Sequence, residues 1–93
     1  MDHLHYDFDA EAEDIVEVAL DHPANVQLMD SANYENYKNR LAYRYRGGYV
    51  TRSPYQIVAP HSGHWHVVVD LGGEAGSVRA AVRLISASAR AAS

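Results

Sequence analysis

The sequence predicts an all-β fold: a two-layer antiparallel β-sandwich of about seven or eight strands with one short helix near residues 31–38. Two observations carry this. Apolar and polar residues alternate in short runs, as in Leu4, Tyr6 and Phe8 against His3, His5 and Asp7, which is the period of a half-buried strand. Turn-forming residues recur between the runs, at Asp21-His22-Pro23, Gly47-Gly48, His61-Ser62-Gly63 and Gly72-Gly73, where glycine and proline punctuate a chain.

Residues 3–8 form the first expected strand, followed by a turn over 9–13. Residues 15–20 form the second, with Val16, Val18 and Leu20 inward and Glu17 outward. Pro23 ends it, because proline cannot donate to a central ladder. Residues 25–29 form a third, short strand with Val26 and Leu28 inward. Asp30-Ser31 supplies a helix cap, and the helix runs to about Tyr37. So short a helix must rest on the sheet to persist.

Residues 42–46 and 49–52 flank Gly47-Gly48. Two runs split by two glycines predict a hairpin, since the favoured turn needs positive φ at both central positions. Tyr43 and Tyr45 would then share one face, and Arg44 and Arg46 the other. Residues 55–59 form a strand ended by Pro60, and residues 64–71 form the most β-branched strand of all. Residues 77–85 alternate again, with Val78, Ala80, Val82 and Leu84 inward. The predicted core is Val16, Val18, Leu20, Val26, Leu28, Ile57, Val67, Val69, Val78, Val82 and Leu84, with Trp65 added by strand parity. One domain over 1–85 and a flexible tail over 86–93 complete the expectation.

Composition narrows the function classes. The chain has 93 residues, no cysteine and a formal charge of −4. A thiolate metal site and a disulfide framework are therefore excluded. General nucleic-acid binding lacks its basic footprint. No apolar run is long enough to span a bilayer, and the acidic N-terminus lacks the apolar centre of a signal peptide. A cytoplasmic location with no membrane association is expected.

Charge is unevenly spread. Residues 1–30 hold nine acids and no Lys or Arg. Residues 34–55 hold six of the seven tyrosines and five of the eight basic residues, opposed only by Glu35. Tyrosine offers rigid contact area with a polar tip, and arginine clamps carboxylate or phosphate. Tyr43, Arg44, Tyr45, Arg46, Tyr49 and Arg52 are therefore the candidate ligand-binding residues, for a small anionic or planar ligand or a protein partner. The bland alternative is that the tyrosines cover a sheet face while the arginines pair with acids. The opposed charges also permit a salt-sensitive homo-oligomer.

Histidines give a second constellation. His3 and His5 are two apart on one expected strand, as are His64 and His66, with His61 nearby. An i, i+2 pair on a strand is a workable metal half-site. His5, His64 and His66 are the candidate ligands for a divalent metal such as zinc, in a metal-binding protein or metal-dependent enzyme. Acid–base catalysis has weaker support: the acids of residues 7–14 read as a solvated face, and Asp70 as a turn-stabilising group for Gly72-Gly73. No nucleophile-elbow pattern surrounds Ser53, Ser62 or Ser77. The residue reading favours a non-enzymatic binding module.

Several motifs carry a resemblance. Residues 24–31 (Ala-Asn-Val-Gln-Leu-Met-Asp-Ser), Asn33-Tyr34, Tyr37, Arg46-Gly47-Gly48, Arg52-Ser53-Pro54 and above all Gly63-His64-Trp65-His66-Val67-Val68-Val69-Asp70-Leu71-Gly72-Gly73 resemble an uncharacterised bacterial domain-of-unknown-function family. Its members stand alone or are fused to TIR domains. More loosely the pattern is similar to GOLD and pre-peptidase β-sandwiches, which implies an interaction module. The resemblance also implies association with TIR-type signalling, and it carries no catalytic residues across. One departure is Arg40, where the family pattern leads one to expect glycine, so the turn over 38–41 is the point to examine.

Overall fold

A computed structural model describes residues 3–72 and 76–87. It shows two antiparallel sheets and one short helix. The strands are β1 (Leu4–Ala10), β2 (Ile15–Leu20), β3 (Ala24–Asp30), β4 (Arg46–Val50), β5 (Tyr55–Val58), β6 (Gly63–Asp70) and β7 (Ala80–Ile85), and α1 (Ser31–Lys38) follows β3 directly. One sheet has the order β1-β6-β3-β4 and the other β5-β2-β7. The expected all-β sandwich with a short helix is what forms.

The core lies between the sheets. Val16 and Val18 of β2 meet Val26 and Leu28 of β3 and Val67 and Val69 of β6, all at 0% exposure. Burying each such side chain contributes about 1.5–3 kcal/mol. Trp65 joins them, as parity requires, and its indole Nε1–H donates to the His61 carbonyl at 3.1 Å. Leu20, Val78 and Val82 are partly buried against this core. Leu84 departs from expectation at 39% exposure. Its strand is the edge of the three-stranded sheet, with only β2 beside it.

Strand β6 is buried on both faces from Trp65 to Val69. Its inner residues meet the second sheet, while Val68 packs with Met29 and Tyr34 beneath α1. A central strand covered on both sides reads as a continuous apolar run, which explains the three consecutive valines. Register aligns β1 with β6, placing Asp7 opposite His66, Asp9 opposite His64 and His5 opposite Val68.

Helix α1 begins where expected. The Asp30 carboxylate accepts the Asn33 backbone N–H at 2.9 Å, which satisfies one of the donors a helix start leaves open. Its end shows how Arg40 fits. Leu41 N–H donates to the Asn36 carbonyl at 2.9 Å, and Arg40 N–H to the Tyr37 carbonyl at 3.3 Å. This is the Schellman pattern, with Arg40 at φ 59° in the left-handed position that usually holds glycine.

The Gly47-Gly48 hairpin does not form. Both glycines lie inside β4, opposite Gln27 and Val26 of β3, and residues 41–45 have no regular structure. Gly47 sits at φ 120°, and a Cβ there would collide with the Val26 carbonyl oxygen. Gly47 serves close strand approach rather than a turn. The strand expected over 42–46, with Tyr43 and Tyr45 on a common strand face, is corrected accordingly.

Asp70 does bond the following turn: Gly72 N–H donates to its Oδ1 at 2.8 Å, and Asn25 Nδ2 to the same oxygen at 3.0 Å. Gly73 lies outside the described residues, as do residues 88–93 of the expected tail. The tail's start is tied down, since Ala87 N–H donates to Asp14 Oδ1 at 2.8 Å.

Candidate functional site

Two arrangements carry chemistry-bearing side chains. The first is a groove of about 600 Å3 bounded by Leu28, Met29, Asp30, Asn33, Arg44, Tyr45, Arg46, Pro60, His61 and Trp65. Its basic wall is the irregular segment after α1. That segment is fastened to the helix by Arg44 N–H, which donates to Asn33 Oδ1 at 2.7 Å. Asn33 is held in turn by Asp30, whose Oδ1 also accepts from Asn33 Nδ2 at 2.9 Å. Cap and wall thus form one hydrogen-bonded unit.

Tyr45 is 47% exposed at this groove and its ring lies 5.5 Å from that of Tyr43. Arg46 faces Leu28 across the β3–β4 ladder. Among the described residues neither Arg44 nor Arg46 makes an ion pair. The opposite wall contributes His61, whose ring lies 4.7 Å from the Trp65 ring.

The other three Tyr/Arg candidates lie elsewhere. Tyr43 is half-buried against Met29, Tyr34 and Val68, and its hydroxyl donates to Gln27 Oε1 at 3.1 Å. Tyr49 is exposed opposite Asn25. Arg52 lines a separate small hollow of about 90 Å3 with Asp21 and His22. The six residues do not form one continuous surface, because the hairpin that would have aligned them is absent.

The second arrangement lies on the outer face of the four-stranded sheet, beside α1. His5 Nε2 and His66 Nδ1 are 2.8 Å apart, with ring planes only 9° from parallel and centroids separated by 5.1 Å. The two imidazoles therefore lie edge to edge. Tyr34 covers both, with centroid distances of 4.2 Å to His5 and 4.5 Å to His66. His66 Nε2 is 2.8 Å from Ser31 Oγ. His66 is 7% exposed and both its nitrogens are engaged. Burial, then the nearby His5 and His64, push it below the ordinary imidazole value.

His64 lies on the same sheet face, its ring 5.1 Å from that of His66, but its partners are acids. Its Nδ1 lies 2.7 Å from Asp9 Oδ1 and its Nε2 2.8 Å from Asp7 Oδ2. The hydrogen bonds to Asp9 and Asp7 hold its pKa above the ordinary value, and the bond from His64 holds Asp7 below its own. The histidines thus divide into a hydrogen-bonded pair, with His66 buried and His5 exposed, and an exposed His64 held between two acids. Among the described residues, no group of three or more His, Cys, Asp or Glu is placed to hold a metal ion.

A family model described as a domain of unknown function, DUF1883, matches residues 1–88. The chain belongs to this family. Comparison with curated proteins and with solved structures gives no match. Among the described residues of this DUF1883 chain, no helix is long and apolar enough to cross a membrane.

Several participants in the DUF1883 sites were not singled out from sequence. Ser31 and Asp30 read only as capping residues, and Tyr34 as one of the clustered tyrosines of residues 34–55. Asp14 belonged to a run read as a solvated face, yet it is 5% exposed and accepts the Glu11 backbone N–H at 2.9 Å. Register supplies the one available signal: acids at 7 and 9 and histidines at 64 and 66 alternate on strands that turn out to be neighbours.

Proposed function

We propose that this chain is a binding module that takes a small planar anion in the groove beside residues 44–46. The observation that carries this reading is the convergence of Arg44, Tyr45, Arg46 and His61 on one open cavity of about 600 Å3. The Arg44 and Arg46 guanidiniums, which make no ion pair among the described residues, supply bidentate donors for carboxylate or phosphate, and the exposed phenol ring supplies a face for a planar group. A protein partner with an acidic surface, including a second copy of this chain, is the macromolecular form of the same reading. The resemblance to TIR-fused bacterial proteins supports a cytoplasmic accessory role.

A thermal-shift screen of nucleotides, sugars and small organic acids tests it. A ligand at 100 times its dissociation constant adds about 2.7 kcal/mol. The shift should vanish in Arg44→Ala and Arg46→Ala. A shift that survives both substitutions and Tyr45→Ala would remove the groove from consideration. Analytical ultracentrifugation at low and high salt tests the self-association form, which requires association that salt weakens.

The alternative metal-binding reading requires the His5–His66 hydrogen bond of 2.8 Å to open, since two nitrogens on one tetrahedral zinc stand about 3.3 Å apart. Zinc stabilisation that disappears in both His5→Ala and His66→Ala would favour it over the groove. Zinc stabilisation that survives these changes would place the ion elsewhere.

A further inference from the structure

We propose that Ser31 is the nucleophile of an acyl-transfer site, with His66 as its general base and His5 as the group that positions His66. The hydroxyl, the buried imidazole and the second imidazole form a continuous chain, with contacts of 2.8 Å from Ser31 Oγ to His66 Nε2 and 2.8 Å from His66 Nδ1 to His5 Nε2. This is the geometry of an activated nucleophile: a hydroxyl within reach of a base, and the base oriented by a third group.

Two proton assignments satisfy both contacts. In the reactive one, Ser31 O–H donates to His66 Nε2, and His66 Nδ1–H donates to His5 Nε2. The base lone pair then faces the serine. Packing restricts the rings to this plane, because Tyr34 covers both imidazoles and Met29 and Val68 are buried alongside. The nucleophile itself is exposed while its base is 7% exposed. Ser31 is also the first residue of α1, an eight-residue helix.

The substrate class is a small, activated carboxylic ester. Ser31 is exposed at the start of α1, so the hydroxyl is open to a compact acyl group arriving from solvent. As Oγ bonds to the ester carbonyl carbon, its proton passes to His66 Nε2. The carbon–oxygen bond to the alcohol then breaks, and His66 returns the proton to the leaving oxygen. Water attacks the acyl-serine by the same proton path, so ester and water become acid and alcohol. The site is independent of anion binding in the groove.

The test uses the whole chain with p-nitrophenyl acetate and, separately, a fluorophosphonate probe. The expected result is a burst of nitrophenol and a single covalent adduct that peptide mapping places on Ser31. Both should be lost in Ser31→Ala, an exposed change that leaves the fold intact by circular dichroism. In His66→Gln the acylation rate should fall roughly 100-fold or more. His5→Phe should slow acylation, and His5→Gln, which keeps an acceptor for His66 Nδ1–H, should restore most of it. A merely structural histidine pair would not produce that rescue. Absence of any Ser31 adduct in the folded wild-type chain overturns the proposal. So does ester turnover that is unchanged in Ser31→Ala, since exposed imidazoles alone would then account for it.

Discussion

His5 and His66 share one hydrogen bond, Nε2 to Nδ1 at 2.8 Å, in a common plane beneath the Tyr34 ring. Two residues 61 positions apart are thereby joined across the β1–β6 ladder. Since both nitrogens of the contact cannot carry a proton together, the pair is stable only while at least one imidazole is neutral.

This gives an acid-side stability dependence. Burial lowers the pKa of both groups from the ordinary 6.5. For a histidine so lowered, the unfolded chain binds more protons than the folded one, so stability falls as pH drops below 6.5. The penalty is complete once pH is beneath the folded values. Melting temperature measured from about pH 7.5 to about pH 5 should decline, and the decline should be shallower in His66→Gln, which cannot be protonated. An unchanged slope in that variant would show that the pair does not govern it.

His64 should act with the opposite sign. Asp9 and Asp7 raise its pKa from 6.5. Its contribution is therefore fully present below 6.5 and is lost as pH rises through the folded value. Asp7, lowered from 3.8 chiefly by the bond from His64, contributes above that value and loses its part as pH falls through its folded pKa. In His64→Gln, the alkaline-side loss of melting temperature should disappear. Raised salt should weaken the wild-type effect, because the three groups face solvent. A His64→Gln profile identical to wild type above pH 6.5 would refute the assignment.

Arg40 offers a stabilising change. A left-handed backbone costs an ordinary residue about 1–2 kcal/mol, while glycine adds unfolded-chain entropy of about 0.4–1 kcal/mol. Arg40→Gly should therefore raise stability by about 0.5–1 kcal/mol in urea titration. The slope with denaturant should not change, because the Schellman bonds from Arg40 and Leu41 remain. A destabilised variant would mean that the arginine side chain holds this turn in some other way.

The parts legible in the sequence are those set by local period. The alternation in residues 15–20 reproduces β2 to the residue, and Asp30 before Ser31 located the start of α1. Trp65 followed from parity alone. What was not legible depends on which strands become neighbours. His64 read as one half of a pair with His66, yet adjacent strand β1 supplies Asp7 and Asp9 to one histidine and His5 to the other. The groove was half visible, as Arg44, Tyr45 and Arg46, because its other wall at His61 and Trp65 arrives from β6 and the loop before it.

Gly47 tests the correction that links fold to groove. Two adjacent glycines between tyrosine-rich runs signal a hairpin by local chemistry, but the glycine at 47 is needed where β4 pairs with β3. A methyl group there meets the Val26 carbonyl, and φ 120° is closed to alanine. Gly47→Ala should thus detach the edge strand, with an expected loss of about 3 kcal/mol or more. Gly48 has no atom within 4 Å of an added Cβ, so alanine there meets the backbone strain of φ 158° but no collision. Gly48→Ala should therefore cost much less. Because Arg46 belongs to β4, Gly47→Ala should also abolish the groove's response to anionic ligands, while His5 and His66 remain paired on β1 and β6. Chemical denaturation of both variants, with the imidazole NMR signals of His5 and His66 as a marker of the distant face, separates local detachment from global unfolding. A hairpin turn at these positions would instead make the two substitutions comparably harmful, since both turn residues would need positive φ.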